Sequence, residues 1–224
     1  MEKRPLNPQI VESGDGSHTL RVESLKEHYH SHKGAIQESM HVFLAMGLDA
    51  FPLDAEVSIL EVGFGTGLNA LLTLLNQGSR RIHYTSLEAY PLEPALALQL
   101  NYPERTRVEG ARSIYEALHH AEWNQAEAIR PGFILEKWSK PLQSFVTEKN
   151  YNLVYYDAFA PHAQPELWEP AIWEKLIAMM HPGAVLVTYC AKGQVRRDMQ
   201  SAGFEVERLE GPPGKREMLR AKKP

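Results

Sequence analysis

Residues 59–69 read Ile59-Leu60-Glu61-Val62-Gly63-Phe64-Gly65-Thr66-Gly67-Leu68-Asn69, and the rest of the architecture follows from them. A short apolar run ends in an acid, glycines then occupy every second position, and a helical pattern begins at once. This order predicts a strand that runs into a tight turn and a helix N-terminus, where the backbone can approach a ligand closely. A strand-turn-helix without any ligand is the open alternative.

The spacing of the glycines points to one kind of ligand. The dinucleotide fingerprint G-x-G-x-x-G would need its third glycine at position 68, which is Leu68 here. An acid two residues before the first glycine suits the amino group and the sulfonium of S-adenosylmethionine, because both are cationic. We therefore predict a site for this cofactor. Its residues are Glu61, Gly63, Gly65, Thr66, Gly67 and Asn69.

Composition narrows the class of protein. The chain has 224 residues, 43% of them hydrophobic, which suffices for one well-packed domain with a small appendage. It has no run of about 18 apolar residues, so we expect no membrane span. Its single cysteine, Cys190, favours a cytoplasmic location and a buried, inert thiol. The net charge of -4 argues against indiscriminate nucleic-acid binding, although a local basic patch is compatible with it.

Periodicity predicts the secondary structure. Residues 10–23 alternate around Asp15-Gly16 and predict a hairpin, whereas Gly34 to Leu48 repeats apolar residues at helical spacing. Farther along, the predicted strands are Val57–Val62, Ile82–Leu87, Phe133–Glu136, Leu153–Tyr156, Val185–Tyr189, Phe204–Leu209 and Glu217–Arg220. The predicted helices are Leu68–Asn76, Pro94–Asn101, Ser113–Ala121, Pro170–Met180 and Gln194–Ala202.

This alternation predicts an α/β fold with a mostly parallel twisted sheet covered on both faces. The connection between the last two strands is too short for a crossover, so they pair antiparallel, as in the Rossmann-like class I methyltransferase arrangement. We expect residues 51–224 to form this S-adenosylmethionine-dependent methyltransferase domain. Residues 1–50 should form a small hairpin-helix extension packed on it.

Ligands of such sheets bind beyond the carboxyl ends of the strands. Glu88 follows the second strand of the sheet and is placed to accept both ribose hydroxyls of the cofactor; an ordinary exposed glutamate is the alternative. The next strand end offers no carboxylate for the adenine amino group. Trp138 there either covers the adenine ring or belongs to the core.

Asp157 ends another buried strand, beside the predicted methyl donor, within the segment Tyr155 to Pro161. Methyl transfer to an amine is an in-line displacement, and the amine must present a free lone pair. A carboxylate here orients the amine and accepts its proton, which makes Asp157 the predicted catalytic residue and part of the cofactor site. A turn-capping aspartate is the alternative.

This chemistry needs no metal, because the leaving sulfonium becomes a neutral thioether. Three histidines alternate at His28, His30 and His32, but no convincing set of further ligands accompanies them. We therefore expect no metal site.

Four segments occur here in the order of one family. They are Glu61 to Asn69, Asp157 to Pro161, Val195-Arg196-Arg197 with Ala202-Gly203-Phe204, and Lys215-Arg216-Glu217-Met218. Together with the helix from Gln37 to Leu44, they resemble the methyltransferase domain of the bacterial MnmC tRNA-modification enzymes, in the stand-alone form called MnmD. The likeness spans nearly the whole chain.

The resemblance implies methylation of the aminomethyl nitrogen of 5-aminomethyl-(2-thio)uridine at the tRNA wobble position, giving the 5-methylaminomethyl product. Two-domain relatives also carry an FAD-dependent oxidase. No second G-x-G-x-x-G fingerprint occurs here, so we expect that activity to be absent and another enzyme to supply the aminomethyl uridine. Relatives usually carry a Gly-Asp pair where this chain has Trp138 to Pro141, so the adenine contact should differ.

The expected tRNA contacts combine base stacking with phosphate binding. Phe159, His162 and Trp168 are candidates for a stacking platform, although Trp168 and Trp173 also fit a helix packed on the sheet. The basic C-terminus, with Lys222 and Lys223, either meets phosphates or is a solvated tail. The predicted substrate-binding residues are Glu38, Phe159, Pro161, Arg196, Arg197, Lys215 and Arg216.

Two other functions stay open. One is an S-adenosylmethionine-dependent enzyme that acts on a small-molecule amine, which the acidic net charge favours slightly. The other is a nucleotide-binding protein without catalysis.

Overall fold

The computed structural model describes residues 7–224, so residues 1–6 of the predicted N-terminal extension lie outside the described residues. Strands in this range are β1 (Gln9–Glu12), β2 (His18–Val22), β3 (Glu27–His28), β4 (Glu56–Val62), β5 (Arg81–Leu87), β6 (Ala126–Arg130), β7 (Phe133–Trp138), β8 (Tyr151–Tyr156), β9 (Met180–Thr188), β10 (Glu205–Glu210) and β11 (Glu217–Lys222). The α-helices are α1 (Ala35–Ser39), α2 (Leu68–Leu75), α3 (Pro94–Ala97), α4 (Tyr102–Thr106), α5 (Ala111–His120), α6 (Pro170–Ala178) and α7 (Gly193–Ser201).

The main sheet has the strand order β10-β11-β9-β8-β4-β5-β7-β6. The run from β9 to β7 pairs in parallel, and β11 lies antiparallel between β9 and β10. This confirms the predicted α/β fold with an antiparallel C-terminal strand. Strand β6, which pairs antiparallel with β7, was not predicted, because Ala126–Arg130 is a short edge strand with two charges and no apolar run.

Several helix boundaries differ from the prediction. The helix expected over Gly34 to Leu48 is α-helical only as far as Ser39 and continues as a π-helix, Met40–Ala45, since the apolar repeat marks the buried face and not the hydrogen-bond spacing. The prediction for Pro170–Met180 was too long, because Met180 already begins β9. Likewise α3 ends at Ala97, and the short helix α4 was not predicted.

The predicted hairpin is confirmed as β1 and β2, to which β3 adds a third strand. Leu20 of this small sheet and Phe43 of the π-helix are fully buried in the same core as Leu71 of α2 and Tyr155 of β8. Residues 27–33 begin in β3 and run toward α1. Because the small sheet packs on this core, these residues lie at the carboxyl end of β8.

The opposite face of the sheet has its own core, in which Trp173 of α6 and Met199 of α7 are buried. None of the helices within residues 7–224 has the length and apolar character needed to cross a lipid bilayer.

Candidate active site

The glycine turn connects β4 to α2, as predicted, and the backbone has a positive φ at Gly63 (98°), Gly65 (50°) and Gly67 (72°). At Gly63 a close contact with the backbone at the end of β8 is a second reason for glycine, besides the positive φ. A Cβ there would lie 2.6 Å from the backbone oxygen of Asp157, and real Cβ contacts are essentially never that short. Only glycine therefore allows the ends of β4 and β8 to come together at this point.

Glu61 lies fully buried at the end of β4. The Ser86 hydroxyl donates a hydrogen bond of 2.6 Å to Oε2, while Oε1 has no partner among the described residues. Burial, together with the nearby Asp157, raises the pKa of Glu61 to about 8. An unpartnered buried carboxylate oxygen suits a cationic ligand group, which would also keep this carboxylate ionised.

Asp157 follows β8 directly, and Asn69 of α2 donates a hydrogen bond of 2.8 Å from Nδ2 to its Oδ2. Burial raises the pKa of Asp157 to about 7, and the negative charge of Glu38 adds to this effect, whereas Lys215 opposes it. The structure thus brings two of the predicted cofactor residues into contact. The carboxyl group of Asp157 therefore titrates near neutral pH.

Two other predicted cofactor residues are engaged within the protein. The carboxylate of Glu88 accepts the backbone N–H groups of Gly65 and Tyr90, both at 2.9 Å, and thereby holds the glycine turn. The Thr66 side chain is fully buried, with its hydroxyl 2.8 Å from Nε2 of His30. The Thr66 hydroxyl therefore faces the N-terminal extension, and Thr66 stays a predicted cofactor residue through its place in the glycine turn.

A cavity of about 300 Å³ lies beside Asp157. It is enclosed by residues 27–33, by α1, by the segment after β8 and by the loop between β10 and β11. The lining residues that matter for the chemistry are Tyr29, Glu38, Asp157, Phe159, Tyr189 and Lys215. These six residues bring three aromatic rings, two carboxylates and one ammonium to the cavity, whose lining also includes Glu27 and Lys33.

Contacts within this lining fix its shape. Tyr29 and Phe159 meet edge to face with their ring centroids 5.0 Å apart. The Lys215 ammonium forms an ion pair with Glu38 and lies 3.9 Å from the ring centroid of Tyr189. The predicted substrate residues Glu38, Phe159 and Lys215 are therefore together at the cavity.

The other predicted substrate residues do not line this cavity. Arg196 and Arg197 lie on α7, where Arg197 is exposed and donates to Gln194. Arg216 is exposed in the β10–β11 loop, and Pro161 is half-buried in the loop that follows Asp157. They are left as candidates for a wider substrate surface.

The basic C-terminus is not a solvated tail, since Glu217–Lys222 forms β11 inside the sheet. The Lys223 ammonium donates to the backbone oxygens of Ile177 and Met180 at the end of α6, which gives this side chain a structural role.

The aromatic platform expected after Asp157 is reduced to Phe159. Trp168 is buried against Tyr156 and Trp173, and its Nε1 donates a hydrogen bond of 2.8 Å to the backbone oxygen of Phe159. His162 is exposed and pairs with Glu27. Trp168 is therefore a core residue that holds the Phe159 segment in place.

Sequence reasoning missed Tyr29, His30 and Tyr189. The alternation of His28, His30 and His32 was weighed only for a metal, and within residues 7–224 no group of three or more metal-ligating side chains exists. Tyr189 directly follows β9, whereas the sequence predicts it as the last residue of that strand and assigns it no functional role. Cys190, the next residue, is buried, and burial raises the pKa of its thiol, which fits an inert thiol.

Trp138 lies half-buried at the end of β7, and its backbone oxygen accepts the N–H of Glu88 at 3.0 Å. The ring packs against Phe145, and the Lys140 ammonium lies 4.7 Å from the ring centroid. Trp138 is thus placed next to the predicted ribose-binding residue.

The raised pKa of Glu61 predicts a pH-dependent stability difference. The carboxyl titrates near 4.5 when unfolded and at about 8 when folded, so the folded state holds more protons between these values. The stability that this shift contributes to the fold is therefore fully present below the unfolded-state pKa and is lost as the pH rises through the folded-state pKa. Burial lowers the pKa of His30, His119 and Lys137, and these groups make stability rise with pH instead. A variant of Glu61 is therefore needed to separate its effect from theirs.

We expect Glu61→Gln to gain stability relative to the native chain as the pH rises from about 5 to about 9, because glutamine carries no charge to bury. Thermal unfolding across this range measures the difference in Tm. The exposed Glu148 provides a matched control, Glu148→Gln, whose difference from native should stay flat. A flat difference for Glu61→Gln would contradict the prediction.

Comparison with known proteins identifies related methyltransferases. Residues 126–224 match a family model described as S-adenosyl-L-methionine-dependent methyltransferase. The tRNA 5-methylaminomethyl-2-thiouridine biosynthesis bifunctional protein MnmC of Idiomarina loihiensis is 32% identical over 222 residues, which cover 85% of this chain and 34% of that protein. The MnmC protein of Stutzerimonas stutzeri is 33% identical over 86% of this chain and 31% of its own length. The chain thus spans about a third of the length of these curated relatives.

A solved structure shows the same fold. The crystal structure of MNMC2 from Aquifex aeolicus matches with a TM-score of 0.79 at 24% identity, over 100% of this chain and 73% of that chain. The chain belongs to the S-adenosyl-L-methionine-dependent methyltransferases, in the family that includes the matched part of the MnmC proteins.

Proposed function

We propose that this chain methylates the aminomethyl nitrogen of 5-aminomethyl-(2-thio)uridine at the wobble position of tRNA. The observation that carries the proposal is the cavity beside Asp157. The rings of Tyr29, Phe159 and Tyr189 suit a planar base, and the carboxylates of Glu38 and Asp157 suit a basic amine. The MnmC relatives are named for the biosynthesis of 5-methylaminomethyl-2-thiouridine in tRNA.

The residues around the glycine turn fit the cofactor. Bound S-adenosyl-L-methionine supplies an electrophilic methyl group on a sulfonium. Glu61 Oε1 and Asn69 Oδ1 are buried acceptors without partners among the described residues, so both are available to an ammonium group. Glu88, whose carboxylate lies at the turn, is assigned to the ribose hydroxyls.

Asp157 is assigned as the proton acceptor. An aminomethyl group is largely an ammonium ion near neutral pH and must lose a proton before its nitrogen can attack. A carboxylate with a pKa of about 7 is matched to that task, because it is largely ionised at working pH and still basic enough to accept a proton.

Exposed basic side chains are assigned to the tRNA backbone. Arg197 and Arg216, which are exposed, are assigned to phosphate contacts, and the half-buried Arg196 and Pro161 are kept as further candidates for substrate binding. Binding by a few such contacts falls steeply with salt. Since the acceptor already carries an aminomethyl group, another activity must generate that group first.

Methylation of tRNA that carries the aminomethyl group but lacks the methyl group tests the proposal. Purified protein is incubated with labelled S-adenosyl-L-methionine and bulk tRNA, which is then digested to nucleosides. We expect label in 5-methylaminomethyl uridine. If the cofactor binds but no tRNA nucleoside is labelled, the acceptor is a small amine and the tRNA assignment is wrong.

The ion pair across the cavity should tune the pH dependence of the rate. Glu38 raises the pKa of Asp157 and Lys215 lowers it, so Glu38→Gln should move the acidic limb of kcat/KM to lower pH and Lys215→Met to higher pH. We expect displacements of about one pH unit in opposite directions.

The double variant is the matched control, because it removes both charges and should return the limb close to its native position. Equal displacement in the same direction for the two single variants would show general disruption of the cavity instead of an electrostatic effect.

A further inference from the structure

His30 lies next to Asp157 but belongs to the N-terminal extension, and it is only 8% exposed. Its backbone is held by one side chain, because Thr19 Oγ1 accepts the His30 N–H at 3.1 Å and donates to the His30 oxygen at 3.3 Å. The position of the ring is therefore set by the small β1–β3 sheet.

The hydrogen bonds of the ring select one tautomer. Nε2 lies 2.8 Å from the Thr66 hydroxyl, and that oxygen already accepts a bond from Tyr102 at 3.3 Å. Nε2 is the acceptor available to the Thr66 proton among the described residues, and Nδ1 faces a carboxylate that accepts when ionised, so we place the ring proton on Nδ1. Nδ1 lies 3.8 Å from Oδ2 of Asp157.

The ring is neutral, since burial lowers the pKa of His30 to about 4. The other titratable or charged groups that act on Asp157 come from several elements: Glu38 of α1, Glu61 of β4, Tyr84 of β5, Tyr102 of α4, Tyr189 after β9 and Lys215 of the β10–β11 loop. Among them Lys215 is the cation and is already paired with Glu38. His30 is thus a second neutral group beside Asp157, in addition to the amide of Asn69.

We propose that His30 is a positioning residue for Asp157: its Nδ1–H faces Oδ2 and favours the ionised carboxylate without adding a charge to the cavity. Asn69 donates to the same oxygen at 2.8 Å, so both donors fall on Oδ2 and Oδ1 is left for the substrate amine. The catalytic meaning of this arrangement rests on the proposed function, but the arrangement itself is measurable without substrate.

Titration of the Asp157 carboxyl carbon by ¹³C NMR is the test, in the native chain, in His30→Phe and in His30→Asn. Phenylalanine keeps a flat ring without a donor, whereas asparagine places an N–H close to the position of Nδ1. We expect the midpoint to rise by about one pH unit in His30→Phe and to stay near native in His30→Asn. Equal midpoints in all three proteins would overturn the proposal.

The ¹⁵N shifts of the native His30 ring provide a second measurement that needs no variant. A proton on Nδ1 is expected, and a proton on Nε2 would overturn the proposal even if His30→Phe failed to fold. In kinetics, His30→Phe should lose about tenfold in rate at neutral pH and recover at higher pH. If the native chain does not methylate tRNA, the proposed function fails while the NMR result still decides the role of His30.

Discussion

Replacement of Asp157 by alanine is expected to remove most methyl transfer but to leave the cofactor bound with an affinity within a few fold of native. The carboxylate is the proposed proton acceptor, and a positioned base contributes about 10²–10⁴-fold to a rate. Cofactor binding persists because Glu61 and the glycine turn are unchanged. Single-turnover rates measure the first effect and calorimetry with S-adenosylhomocysteine measures the second.

Asp157→Asn refines this result, because the amide keeps the size of the side chain but accepts no proton; we expect it to be nearly as inactive as alanine. Asp54→Asn is the control, since Asp54 is exposed, precedes β4 and does not line the cavity. Loss of the cofactor together with turnover would assign Asp157 to binding alone. A native rate in either Asp157 variant would remove it from the chemistry.

Gly63→Ala should lower cofactor affinity by about a hundredfold or more and also destabilise the fold. The new Cβ would lie 2.6 Å from the backbone oxygen of Asp157, and the φ of 98° is strained for any other residue. Overpacking of this kind costs about 1–3 kcal/mol and here must move either the turn or the end of β8. Calorimetry and thermal unfolding report the two effects.

Gly110→Ala separates backbone strain from the close contact. Gly110 has a similar positive φ of 76°, but nothing lies within 4 Å of the position that its Cβ would take. This variant should therefore lose a little stability and bind the cofactor normally. Native cofactor affinity in Gly63→Ala would mean that the turn does not contact the ligand.

Part of this site was readable from the sequence because it depends on local spacing. The glycines, Glu61 and Asp157 each stand at a strand end, and strand ends of a parallel sheet converge. Tyr29, His30 and Tyr189 are different, since they reach the cavity through contacts between distant segments that no local pattern records. Trp168 illustrates the same limit, because only its packing against Trp173 distinguishes a core residue from a stacking platform.

The C-terminus shows how context decides structure. Lys222 and Lys223 predicted a basic end, yet the residues before them alternate well enough to enter the sheet between β9 and β10. The alternating pattern predicts a strand, whereas its position between β9 and β10 depends on tertiary pairing.

The ion pair between Glu38 and Lys215 has a consequence for biosynthesis. It joins residues from distant parts of the sequence, and β11, which follows Lys215, is made after the other strands of the sheet although it pairs between β9 and β10. A nascent chain that has already made β4, α2 and β8 holds the glycine turn and Asp157, but not the wall that Lys215 completes. On the proposed function, the acceptor cavity is therefore completed after the cofactor site.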